Sequence, residues 1–171
     1  MRSSLVGSEM CIRDSSIGYP FEFIRMGRYM ERADMISRIL DTLCLSSSLN
    51  QMHDFKTLEW ASMLRNLSAQ EAFREESKGE IERGSVLKFL IQNKGFPRSI
   101  SKCLEQIEDC VSSLPNNVLM KDEIKKTINK NFVAHIDKYD DDKLHIFLQE
   151  LQTRLIKLDE RIHKSWFLLH S

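Results

Sequence analysis

From residue 20 onward, apolar residues recur three and four apart instead of alternating, and that spacing predicts helices. In a helix from about Pro20 to Leu45, one side carries Met26, Tyr29, Ala33, Ile36, Leu40 and Leu43, an ordinary core stripe. A second line runs Ile24, Arg28, Glu31, Met35 and Ile39, and two of its places are charged. Asp34, Arg38 and Asp41 fall between the stripes on the solvent edge, while Arg25 and Arg32 border the first stripe. A helix apolar on two sides is expected to be buried on two sides, where charges persist only when paired. Arg28 and Glu31 can meet along the helix surface. One carboxylate cannot satisfy five guanidinium donors, so further partners are expected from elsewhere in the fold.

The polar run Ser46-Ser47-Ser48-Leu49-Asn50 reads as a loop, and a second helix is expected from Asp54, a candidate N-cap, to about Glu76. Its stripe of Trp60, Leu64, Leu67, Glu71 and Arg74 also turns ionic halfway. Two helices that each carry an acid and a base three apart predict a network joining Arg28, Glu31 and Arg32 to Glu71 and Arg74. Such a network fixes helix register, or it does chemistry.

Lys78-Gly79-Glu80 breaks the pattern, and a short third helix begins near Ser85 with Val86, Leu87, Phe89, Leu90 and Ile91. Gly95 stands where a C-terminal glycine cap belongs, and Pro97 is expected to open the fourth helix. A cation at a helix N-terminus opposes the dipole, so Arg98 is expected to face an acid, Glu31 or Glu71, or an anionic ligand. The fourth helix has a clean stripe of Ile100, Cys103, Leu104, Ile107, Val111 and Leu114, closed by Pro115-Asn116-Asn117. A fifth spans about Lys121 to Lys138, its lysines 125, 126 and 130 read as a solvated face. Asp140, Asp141 and Asp142 cap a sixth helix reaching toward His170. Leu144, Leu148, Leu151, Leu155, Leu158 and Ile162 form its bundle seam. The tail Trp166-Phe167-Leu168-Leu169 is expected to pack along the first helix or to meet another chain.

Composition narrows the function classes. The 171 residues carry 25 basic and 25 acidic side chains, formal net charge zero, which leaves no electrostatic footprint for nucleic acid or an anionic membrane. No apolar run is long enough to span a bilayer and no secretory leader is visible, so a cytoplasmic location is expected. Cys11, Cys44, Cys103 and Cys110 lack metal-ligand spacing and read as reduced thiols. There is no glycine-rich phosphate loop, no paired-histidine metal motif and no nucleophile elbow, so no cofactor or metal is expected. Residues 1–15 fit no period. They resemble translated sequencing adapter joined to a gene fragment and are set aside, leaving 16–171 as one domain.

Gly27-Arg28-Tyr29-Met30-Glu31-Arg32-Ala33-Asp34 followed by Ser37-Arg38-Ile39-Leu40-Asp41 resembles the alpha-E family, all-helical bacterial domains named for a Glu-Arg pair, here Glu31-Arg32. Trp60, Met63 to Ala69, Glu71-Ala72-Phe73-Arg74 and the run from Phe89 to Ile100 add to the likeness, in order and spacing. The match resembles the second half of a two-half protein, so a fragment is expected, whose missing half would cover Arg28 and Glu31. The resemblance also implies partners: ATP-grasp and transglutaminase-like proteins of bacterial peptide ligation or processing.

The expected fold is an all-α, up-and-down bundle of about six helices with no sheet. The function expected of it is a non-catalytic binding or scaffold module in that peptide system. The alternative is an enzyme component acting on an amide or amine, with Glu31 or Glu71 as base and Arg32 or Arg98 holding an anion. The candidate ionic cluster is therefore Arg28, Glu31, Arg32, Glu71, Arg74 and Arg98.

Overall fold

The computed structural model describes residues 18–47, 53–77 and 81–168. Among them are seven α-helices, one 3-10 turn and no strand. The longest, α1 (Gly18–Ser47), buries Met26, Ala33, Ile36, Leu40 and Cys44 and half-buries Tyr29 and Leu43, so the first stripe is its core face. The second line is not buried. Ile24, Met35 and Ile39 are 62%, 49% and 36% exposed, and Arg28 and Glu31 are exposed with them. Spacing fixes which residues share a side of a helix, but a neighbouring element must exist to cover that side.

The core is a ring of four helices: α1, α5 (Ile100–Ser112), α6 (Val118–Val133) and α7 (Asp141–Trp166). Each neighbour pair runs antiparallel. Arg25 of α1 reaches Gln106 of α5, and Arg32 lies by Cys103. Ser101 of α5 meets Asn131 of α6, Glu108 meets Lys125, Glu123 of α6 pairs with Arg161 of α7, and Asp41 of α1 meets His145 of α7 while Phe23 meets Trp166. The predicted seam of α7 closes the ring, with Leu144, Leu148, Leu151, Leu155, Leu158 and Ile162 all buried. Its tail packs on α1: Phe23 contacts both Trp166 and Phe167 edge-on, at 5.7 and 4.9 Å between ring centroids.

Against this ring stand α2 (His53–Asn66), α3 (Gln70–Ser77) and α4 (Arg83–Gln92). The single second helix expected from the sequence is in fact two. At the break Ser68 takes φ 50°, the left-handed region, its N–H bonds Arg65 O, and the Ala69 N–H bonds Leu64 O. That pair of bonds is the Schellman closure of a helix C-terminus, usually built on glycine. Ala69 and Leu64, its hydrophobic partners, are fully buried.

The hinge after α4 also differs from expectation. Gly95 is not left-handed; Asn93 makes the turn, its Oδ1 accepting from the Gly95 and Phe96 N–H groups at 2.7 and 2.6 Å. Pro97 does not open α5. Ser99 caps it, accepting from Lys102 N at 3.0 Å. Asp140 caps α7 as expected, accepting from Lys143 N at 2.8 Å. The buried Asn131 amide donates to Ile91 O and Ser101 Oγ, pinning α4 and α5 to α6. Residues 1–15 with Cys11, the side chain of Asp54, the break at 78–80 and Leu169 lie outside the described residues.

Candidate functional site

The six residues of the expected ionic cluster do not come together. Among the described residues, no ion pair joins any two of them. Arg28 and Glu31 stand exposed on the outer face of α1. Arg32 is half-buried, its guanidinium 5.8 Å from the Tyr29 ring centroid, a cation on an aromatic face. It also lies beside Cys103, whose thiol burial pushes up to about 11 against the pull of that charge.

Glu71 and Arg74 are exposed at the two ends of α3, the acid in its first turn and the base in its last. That placement complements the helix dipole and needs no partner from α1. Arg98 faces no acid. Its Nη1 donates to Leu67 O at 2.6 Å, at the C-terminus of α2, where a cation is favoured. Arg98 precedes α5 in the chain but serves the end of α2 in space.

The outer face of α1 leads instead into a groove of about 720 Å³ between α1 and α2. Met35, Arg38, Ile39, Thr42 and Leu43 form one wall, at spacings of three and four along α1. The facing wall is built from Leu58, Glu59, Ser62, Met63, Asn66 and Leu67, two turns of α2 and the residue that follows it. Met63 and Leu67 are buried at its floor, while Leu58 is 57% exposed at its lip. Arg38 is tied to Asp34 of its own helix, Nε to Oδ2 at 2.7 Å. Glu59 has no such partner: its Oε2 is shut off from solvent and accepts no hydrogen bond. The volume falls in the range of ligand clefts.

A second polar centre lies across α1 from its outer face. Asp41, expected on the solvent edge, is only 8% exposed; its Oδ1 meets His145 Nδ1 at 2.5 Å and its Oδ2 accepts from Gln149 at 3.0 Å. Nearby, Arg83 donates to Tyr139 O at 2.6 Å and to Asp141 Oδ1 at 2.8 Å. It also lies beside Cys44, whose buried thiol is pushed up to about 11. Both sets tie the start of α7 to other helices. Among the described residues, no group of three or more His, Cys, Asp or Glu could hold a metal ion, and no helix is long and apolar enough to cross a membrane.

A family model named Alpha-E, a predicted alpha-helical domain with a conserved ER motif, matches residues 10–167. The chain belongs to the Alpha-E family. No curated protein and no solved structure matches it. The alpha-E chain contains Glu-Arg three times, at Glu31-Arg32, Glu82-Arg83 and Glu160-Arg161. Only the last two have their arginines in ion pairs, with Asp141 and with Glu123. Glu31-Arg32 differs in kind: among the described residues Arg32 has no ion pair, and Glu31 lies one helical turn from Met35, which lines the groove.

Proposed function

We propose that this alpha-E protein is a non-catalytic binding module, and that the groove between α1 and α2, with the outer face of α1, is its docking surface. The observation that carries this is the uncovered apolar side chains of Met35, Ile39 and Leu58 along the groove, with Ile24 further along the same face of α1, beyond Arg28 and Glu31. Solvated carbon of that extent beside a preformed cleft is what partner surfaces offer. By its family resemblance, the partners are ATP-grasp and transglutaminase-like proteins of a bacterial peptide-ligation or peptide-processing system, in the cytoplasm. Amide chemistry through Glu31 or Glu71 would need a base and an anion holder side by side. Among the described residues, no ion pair joins any two of the six charged residues, which leaves that reading without the pairing it requires.

The test is hydrogen exchange on the purified chain, alone and mixed with an ATP-grasp protein or a transglutaminase-like protein from the same genome. Protection at residues 35–43 and 58–67 is expected with at least one of them. Unchanged exchange with both would overturn the partner assignment. Protection confined to other helices would overturn the groove.

A further inference from the structure

We infer that the α1–α2 groove is selective for a polypeptide segment carrying a lysine or arginine among apolar side chains, with the cation seated on Glu59. This rests on the reading of the groove as a docking surface and adds the chemistry of what docks.

Among the described residues, two ionisable side chains line the groove, Arg38 and Glu59. Arg38 is already neutralised by Asp34. Glu59 is half-buried, with one carboxylate oxygen hidden from water and without a donor. An anion held at an apolar wall and denied part of its hydration is destabilised, and a cation placed on its open side offsets that cost. Of the described lining residues, Glu59 is thus the one charge without a counter-charge, and an acidic or neutral ligand leaves it so.

Geometry sets the rest. The α1 wall runs from Met35 to Leu43, about 12 Å at the rise of a helix. That length accepts two turns of an amphipathic helix or a few extended residues. Met35 and Met63, flexible and polarisable, let the walls adapt to different aliphatic or aromatic neighbours of the cation. A lysine or arginine stem is itself apolar and suits the passage past Leu58 and Ile39 to a carboxylate. Ser62 and Asn66 add polar groups on the α2 side, able to take the segment's backbone.

The experiment pans a random peptide library, roughly 12 residues long to span about three helical turns, against the full chain. Binders are then measured by fluorescence anisotropy on the wild type, Ile39→Asp and Glu59→Gln. Expected are peptides enriched in lysine or arginine beside Leu, Ile, Met or Phe, lost on Ile39→Asp and bound about tenfold more weakly by Glu59→Gln. Replacing the peptide's lysine with norleucine, which keeps the stem and removes the charge, should weaken binding to the wild type by a similar factor. This arm does not depend on any variant folding. Peptides lost on Ile39→Asp but without basic enrichment, or indifferent to norleucine, would overturn the cation rule and leave the groove standing. No binders at all, or binders indifferent to Ile39→Asp, would sink the groove and the inference together.

Discussion

Asp41 and His145 stand 104 residues apart in the chain and 2.5 Å apart in space, joining α1 to α7 through a nearly buried carboxylate. The carboxylate only accepts, so the imidazole nitrogen and the Gln149 amide are both its donors. Asp41→Ala leaves both without a partner and should cost about 1–3 kcal/mol in a urea melt. Combined with His145→Ala, the two losses should fall short of additivity by roughly 0.5 kcal/mol or more, since the residues share one contact. Strict additivity would mean that the pair is incidental.

Glu31→Gln and Arg28→Gln each change an exposed side chain with no ion-pair partner among the described residues. Each should move stability by no more than about 0.5 kcal/mol. A loss of several kcal/mol in either variant would restore the buried network expected from the sequence.

Arg98→Ala removes the donor that closes Leu67 O at the end of α2 and should cost about 1 kcal/mol. If Arg98 only awaited an anionic ligand, the melt of the free protein would not move.

At Ser68, glycine should be better than the native residue. A left-handed conformation costs a non-glycine residue about 1 kcal/mol or more. Ser68→Gly should therefore raise the urea midpoint and Ser68→Val lower it. The opposite order would deny the helix break its Schellman geometry.

Burial holds the thiols of Cys103 and Cys110 up at about 11 and about 12, from an ordinary 9.0. A folded-state value raised in this way contributes stability that is whole below pH 9 and is lost as pH rises toward 11 and 12. Melting temperature should therefore fall across that window, and less steeply in Cys103→Ala. At pH 8 neither thiol should react with DTNB until the protein unfolds, because the reactive thiolate is suppressed. Prompt labelling of either would contradict the packing of α5.

The parts of the fold legible in the sequence are those fixed within one helix. The stripe from Met26 to Leu40, the seam of α7 and the Asp140 cap need only local spacing, and each is where that spacing puts it. What was not legible depends on neighbours. Met35 and Ile39 have core-like spacing, yet among the described residues no helix covers them, and periodicity carries no information on coverage. Asp41 looked wet because its partners are on α7. Arg98 looked misplaced because the dipole it answers belongs to α2. Ser68 hid a helix break because the left-handed position usually goes to glycine. Glu59 gave no signal at all, since an acid on a helix is ordinary until its surroundings strip its water.

The four-helix ring also orders its own assembly. Consecutive helices α5, α6 and α7 meet through short connections, whereas α1 is held by contacts 81 and 104 residues away, through Gln106 and His145. Chain-entropy costs grow with such separations, so the hairpins of α5 to α7 are expected to form before α1 is captured. The same helix that offers the groove is also the one packed most extensively on its neighbours, α5 and α7, a stave the barrel cannot lose without opening its core. A segment bound in the groove would act as a brace on that stave, slowing its release without touching the helices behind it.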